Sequence, residues 1–192
     1  MTAFKPRIAF TAQYRNVTAL HRLFTKLDSA FEPPNLEPAE ILPMVVFMAF
    51  SIESYVNSIG ARKLEIWDEV ERLPWKKKLA ILHKVAGAKP EWNREPLQFA
   101  QEIFTLRDKL AHGKAEVHVG PAFSSPEEAE DFALNDEFVP PWFSNITTAW
   151  IQEARERFTQ LMEYLGTMHA LDPGDYRQAF RVDVLRSPHT DA

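Results

Sequence analysis

The chain has 192 residues, which suits one domain because each half of a divided chain would be short of core. Hydrophobic residues make up 45%, enough to bury a core and too many for a disordered chain. It contains no cysteine, so disulfides, thiolate catalysis, iron–sulfur clusters and cysteine-based zinc sites are excluded, a composition that fits a reducing compartment. The net charge of −5 does not favour nucleic-acid binding by the surface as a whole.

The sequence predicts no membrane segment. The first seven residues lack the apolar stretch of a secretory signal. The longest apolar run, Ile41 to Ile52, contains Pro43 and Ser51 and is shorter than the about 20 residues that a spanning helix needs. We therefore expect a cytoplasmic protein with no membrane partner.

Apolar residues recur at helical spacing along most of the chain, and no alternating strand pattern persists beyond residues 116–119. One predicted helix, 39–59, is apolar nearly all round, so we expect it at the centre of a bundle, closed by Gly60. The other predicted helices are 12–30, a short one around Leu64, Trp67 and Val70 that ends near Pro74, 75–85, 95–112 with Gly113 as its cap, and 146–170.

These patterns predict one all-α domain, a bundle of about five main helices whose core comprises residues 12–114 and 146–170. Residues 115–145 form a predicted acidic insert, with one short helix beginning at Ser125. No lysine or arginine lies between Lys114 and Arg155, a stretch with eight acidic residues. Residues 172–192 are predicted to be an irregular tail. The lysine cluster 76–78 could meet a polyanion, although such clusters are ordinarily solvated surface.

The predicted helix 95–112 combines an apolar arc with a polar stripe on a helical wheel. Arg107 falls inside the apolar arc, and a buried arginine needs an acceptor. The arc consists of Phe99, Ala100, Ile103, Phe104, Leu106, Leu110 and Ala111, and the stripe consists of Gln101, Thr105, Asp108 and His112.

The central predicted helix offers an acceptor for Arg107. Glu53 and Asn57 are four residues apart and occupy positions where hydrophobic residues are expected. A Glu53–Arg107 pair could simply join two core helices, or Glu53 could hold Arg107 in position at a cleft or a subunit interface. The two roles are compatible, and the sequence leaves both open.

Asp108 and His112 are also four residues apart, so their side chains can touch on the helix surface. A carboxylate beside an imidazole favours the protonated ring and fixes its orientation, which suits a general acid or base. The alternative is a histidine that faces water near the negative end of the helix dipole.

Three stretches of the chain resemble the HEPN superfamily (higher eukaryotes and prokaryotes nucleotide-binding domains). The segment 103–114, with Arg107 and His112 in the spacing Arg-x4-His followed by Gly113, is similar to the signature of that superfamily. Residues 50–57, with Glu53 and Asn57, are similar to its acidic, Asn-bearing core helix, and residues 75–82 to its lysine-bearing helix. The position after the arginine is often asparagine in the superfamily, whereas here it is Asp108.

The resemblance implies a metal-independent endoribonuclease of toxin or defence type that acts as a homodimer and uses no cofactor. It implies that His112 transfers protons at the ribose 2′-hydroxyl and the leaving oxygen, while Arg107 stabilises charge on the phosphate. Asp108, Glu53 and Asn57 would support them. The implied partners are a second copy, an RNA substrate and an inhibitory protein, with no role for DNA. The superfamily also contains silent members, so the alternative is a dimeric interaction module that binds protein or a nucleotide-like ligand.

Other chemistries have weaker support in the sequence. The six histidines do not form a His-Glu-x-x-His or similar spacing, so we expect no metal site. Six glycines provide no glycine-rich phosphate loop. The five tryptophans are interpreted as core and interface residues rather than as a platform for stacked bases.

Overall fold

The protein is all-α, as predicted: its computed structural model is built from helices packed around one long central helix. The structure describes residues 7–12, 17–28, 38–113, 115–135, 140–178 and 180–185. In these ranges the helices are α1 (Val17–Asp28), α2 (Pro38–Lys63), α3 (Trp67–Val70), α4 (Trp75–Val85), α5 (Leu97–His112), α6 (Pro126–Asn135), α7 (Pro141–Ser144) and α8 (Thr148–Met168). A 3-10 turn, Asp175–Arg177, follows α8, and the strands are β1 (Arg7–Ala12) and β2 (Phe180–Leu185).

Helix α2 occupies the centre of the bundle, as its apolar character predicts. It packs against α1, α3, α4, α5 and α8. A helix with apolar side chains on most of its circumference is expected to pack against neighbours on several sides, and here Phe50 is its large apolar residue that remains exposed. The buried apolar residues of α2 are Ile41, Met44, Val45, Met48, Ala49, Ile52, Tyr55, Val56 and Ile59.

Residues 40–63 of α2 are also long and apolar enough to cross a bilayer by length and composition, and 56% of that window is buried inside the protein. The central helix of a soluble bundle passes the same test, so this property does not decide where the protein resides. The cytoplasmic location remains a prediction.

The two ends of the described chain form an antiparallel ribbon, which the sequence analysis did not predict. Strands β1 and β2 pair from Arg7 with Leu185 to Ala12 with Phe180. The prediction of a helix from residue 12 was therefore wrong, since α1 begins at Val17. The prediction of an irregular tail over 172–192 was also wrong for residues 175–177 and 180–185, which form the 3-10 turn and β2, while residues 186–192 lie outside the described residues. The two strands are six residues long and pair across almost the whole chain, and no local pattern reveals such a pairing.

The acidic insert contains more helix than predicted. Helix α6 begins directly after Ser125, as predicted, and the Ser125 hydroxyl accepts a hydrogen bond from the Glu128 backbone N–H at 3.2 Å. This is the capping role for which serine is favoured. The short helix α7 was not predicted. Its sequence begins with Pro141, a residue suited to the first position of a helix.

Gly60 does not close the central helix, because α2 continues through it to Lys63. The glycine is needed for a different reason: a methyl group placed on Gly60 would overlap the indole ring of Trp67. Trp67 is buried, and it packs flat against the α2 backbone only where no side chain intervenes. The contact therefore couples α2 to α3 and turns the chain toward α4.

We predict that Gly60→Ala lowers the free energy of unfolding by about 1–3 kcal/mol through overpacking, despite the better helix propensity of alanine. Urea or guanidinium denaturation measures the change. Gly120→Ala is the matched control, because a methyl group there meets no atom within 4 Å and the stability should stay within about 0.5 kcal/mol. Equal midpoints for the two variants would contradict the packing of Trp67 on Gly60.

Candidate functional site

Helix α5 is buried in its first half and emerges from the bundle in its second half. Phe99, Ala100, Ile103 and Phe104 are buried, whereas Leu106 and Leu110 are half-buried and Ala111 is exposed. The helix ends at Gly113, whose φ of 48° is the left-handed conformation that glycine adopts without strain. The Arg-x4-His segment therefore lies on the part of α5 that leaves the core.

Arg157 of α8 holds the buried half of α5. Its guanidinium pairs with Glu102 at 2.8 Å and with Glu95, which precedes α5, and it lies over the Phe99 ring at 4.8 Å. Burial lowers the pKa of Arg157, but hydrogen bonds and charge from Glu95 and Glu102 outweigh burial and raise it. The Trp150 indole also donates to Glu102 at 2.8 Å. These bonds fix the base of α5, so the end of the helix projects from a rigid support.

The polar stripe of α5 forms one wall of an open groove of about 400 Å³. Thr105, Asp108 and His112 line it, together with Lys109 and Gly113. Glu116, Pro140 and Trp142 of the insert form the opposite wall. Three of the four predicted stripe residues therefore share one surface, whereas Gln101 lies outside the groove and bonds to Lys76 and to the Trp92 carbonyl. The described part of the insert borders the groove.

His112 is the last residue of α5 and is exposed to solvent. Among the described residues, Asp108 pairs with Arg107 rather than with His112, and no hydrogen bond links the imidazole to another described residue. Both side chains line the groove at consecutive turns of the helix, but Asp108 is engaged elsewhere. The imidazole is therefore available to a ligand.

Arg107 is half-buried rather than enclosed in the core, since 28% of its side chain is exposed. The guanidinium lies over the Phe104 ring, 5.3 Å from its centre. Its Nε is 3.2 Å from Asp108 Oδ1, but no hydrogen bond satisfies that N–H among the described residues. Arg107 does not line the groove, because five residues of helix turn it about 140° away from His112.

The predicted Glu53–Arg107 pair is wrong, because Lys78 of α4 takes its place. The Lys78 ammonium donates to Glu53 Oε1 at 2.7 Å, Asn57 Oδ1 at 3.1 Å and the Glu71 carbonyl at 3.1 Å. The lysine side chain is only 1% exposed, and its three donors match three acceptors. Arg107 lies on the half of α5 that leaves the core, and its ion pair is with Asp108.

Lys78 was missed because it belongs to the lysine cluster that was interpreted as solvated surface. A wheel of α4 would have found it: Lys78, Leu79, Leu82 and His83 are its buried residues and lie at positions i, i+1, i+4 and i+5. Trp142 was interpreted only as a core or interface residue, yet it borders the groove. Lys109 lies over its ring at 5.0 Å.

Two further histidines are buried and serve the core. His83 Nδ1 lies 2.7 Å from the Leu79 carbonyl and Nε2 lies 2.9 Å from the Tyr164 hydroxyl, so both ring nitrogens are used. Burial lowers the pKa of His169, and the positive charge of Lys63 adds to this effect. Neither ring reaches the groove. Over the described ranges, no group of three potential metal ligands occurs.

Comparison of the chain with protein-family models, with curated proteins and with solved structures gave no significant match. The candidate site therefore rests on its own geometry and on the residues that carry the resemblance. Those residues are partly brought together: Glu53 and Asn57 meet the lysine-bearing helix α4 through Lys78, and α5 packs on α2. Arg107 is the member that stands apart from the groove.

We predict that Lys78→Met lowers the free energy of unfolding by about 3 kcal/mol, near the low end for breaking a buried ion pair. The low end applies because 35% of the Glu53 side chain is exposed, so its carboxylate regains water. Lys77→Met, at an exposed position of the same cluster, is the control. Chemical denaturation of both variants measures the difference, and an unchanged midpoint for Lys78→Met would refute the network.

Proposed function

We propose that this protein is a HEPN-type homodimer that cleaves single-stranded RNA without a metal ion. The observation that carries the proposal is His112, an exposed imidazole without a hydrogen-bond partner among the described residues, on an open groove at the end of α5. A general acid or base has to reach the proton that it transfers, and an imidazole changes charge near neutral pH. Lys109 on the same groove is a cation that can contact phosphate.

In the proposed reaction His112 removes the proton from a ribose 2′-hydroxyl, whose oxygen attacks the adjacent phosphorus. The bond from phosphorus to the 5′-oxygen breaks, and that oxygen takes up the proton that the His112 imidazole had removed. The products are a 2′,3′-cyclic phosphate and a 5′-hydroxyl. Arg107 stabilises the extra negative charge on the phosphate with its planar guanidinium. No metal is required, because the imidazole supplies the proton transfer and the arginine supplies the charge.

One protomer has His112 in the groove and Arg107 on another side of α5, so we propose that a second copy completes the site. The end of the apolar arc, with Leu106 and Leu110 half-buried and Ala111 exposed, is a surface on which a second α5 can pack. A two-fold dimer places the same patch on both protomers. Arg107 of the partner subunit then faces His112 of the first, and the reverse contact follows by symmetry.

The second candidate function is a silent dimeric module that binds protein or a nucleotide-like ligand. It is favoured by the charges around the motif, since Asp108 lies beside Arg107 and both Asp108 and Glu116 line the groove. Two carboxylates oppose the approach of an RNA phosphate. The two candidates differ in one measurable property, which is cleavage of RNA in the presence of a chelator.

We predict that purified wild-type protein cleaves mixed RNA in excess chelator and that His112→Ala loses ~10²–10⁴-fold in rate, the usual contribution of a general acid or base. His21→Ala removes an exposed histidine that lies outside the groove and should retain the wild-type rate. RNA with 2′-deoxyribose at the cleaved position should resist cleavage. If wild-type protein leaves RNA intact after any bound partner is removed, the silent module replaces the enzyme.

The dimeric site has its own test. We expect light scattering at micromolar concentration to give a dimer, and we expect His112→Ala and Arg107→Ala to be inactive when assayed separately. After co-refolding in equal amounts, half of the dimers are mixed and each has one intact site, so activity should return to about a quarter of wild type. A monomer in solution, or no recovery on mixing active-site variants that do form dimers, contradicts a site shared between protomers.

A further inference from the structure

A second cavity, of about 490 Å³, lies between α1, α8 and the 3-10 turn 175–177. It shares no lining residue with the groove at the end of α5. Its volume is within the range of about 300–1,000 Å³ that small-molecule sites occupy in proteins. The proposed ribonuclease chemistry makes no use of it.

The floor of this cavity is apolar and belongs to the core. Leu20, Phe24, Phe158 and Tyr176 line it, and each is buried. Tyr176 is held in place by its edge-to-face contact with Tyr55, at 6.0 Å between ring centres. A rigid apolar floor of this kind binds a hydrocarbon or aromatic group through the hydrophobic effect.

The mouth of the cavity is lined by Arg155, Arg177 and His21. Arg155 is already neutralised, since its guanidinium pairs with the Asp28 carboxylate at 2.5 Å. Arg177 uses its Nε to donate to the Tyr176 hydroxyl at 2.9 Å, which leaves the two terminal amino groups without a partner in the described chain. No carboxylate of the described residues pairs with Arg177 or with His21.

From this arrangement we propose that the cavity binds a small amphipathic anion, with its apolar body on the buried floor and its acidic group at Arg177. The terminal amino groups of an arginine are spaced to bind both oxygens of a carboxylate or phosphate. The bond from Nε to Tyr176 fixes the guanidinium plane, so little side-chain entropy is lost on binding. His21 provides a further donor at the same mouth.

Calorimetric titration with decanoate and with decanol tests the proposal, because the two molecules share a ten-carbon chain and differ in charge. Decanoate should bind at one site per chain, and decanol about tenfold or more weakly, as expected when a charge-assisted hydrogen bond is lost. Both are used below the concentration at which they aggregate. Absence of saturable decanoate binding overturns the proposal, as does equal affinity for the two molecules.

Variants locate the site. Arg177→Gln should weaken decanoate binding about tenfold while it leaves decanol binding unchanged, and Arg72→Gln, at an exposed arginine outside the cavity, should change neither. Thr159→Phe places a ring in the cavity and should abolish binding of both molecules. Circular dichroism checks that each variant is folded. Full decanoate affinity in folded Arg177→Gln or Thr159→Phe would place the binding elsewhere and refute the assignment.

Discussion

The arrangement of the helices depends on the buried ammonium of Lys78. A buried lysine is costly unless its charge is paired and each of its donors is satisfied. Glu53 and Asn57 on α2 and the Glu71 carbonyl before α4 provide that set. Because three acceptors from two segments must converge on one nitrogen, α4 has little freedom to slide or rotate against α2. These hydrogen bonds therefore fix the position of α4 along and around α2, and this role is more important than their net contribution to stability.

The same network explains the position of Arg107. Since Lys78 occupies the carboxylate of Glu53, the arginine has no acceptor on α2 and lies over Phe104 on the emerging half of α5. Its neighbour Asp108 offsets part of its charge at 3.2 Å. The Arg-x4-His motif therefore combines an exposed imidazole, that of His112, with the Arg107 guanidinium, whose charge is partly offset by Asp108. Any anion that binds Arg107 has to compete with Asp108 for the guanidinium.

The C-terminal segment closes the bundle on the side of the second cavity. Arg62, at the end of α2, forms two hydrogen bonds with the Asp175 carboxylate, at 3.1 and 2.8 Å. This pair anchors the 3-10 turn and brings Tyr176 onto Tyr55 of α2. The cavity floor thus depends on a contact between residues more than a hundred positions apart. The C-terminal part of the chain contributes to the core, although composition alone predicted an irregular tail.

Local patterns in the sequence were sufficient for the all-α class, for the central place of α2 and for the common surface of Thr105, Asp108 and His112. Each of these follows from spacing along a single helix, where geometry relates neighbours three and four residues apart. Three features required the tertiary structure: the choice of Lys78 over Arg107 as partner of Glu53, the Trp67 ring against Gly60, and the pairing of β1 with β2. Each of these features joins segments that belong to different elements of the chain. Which acceptor a cation takes, which side chain fills a space and which strand pairs with which are decided only when those elements pack together.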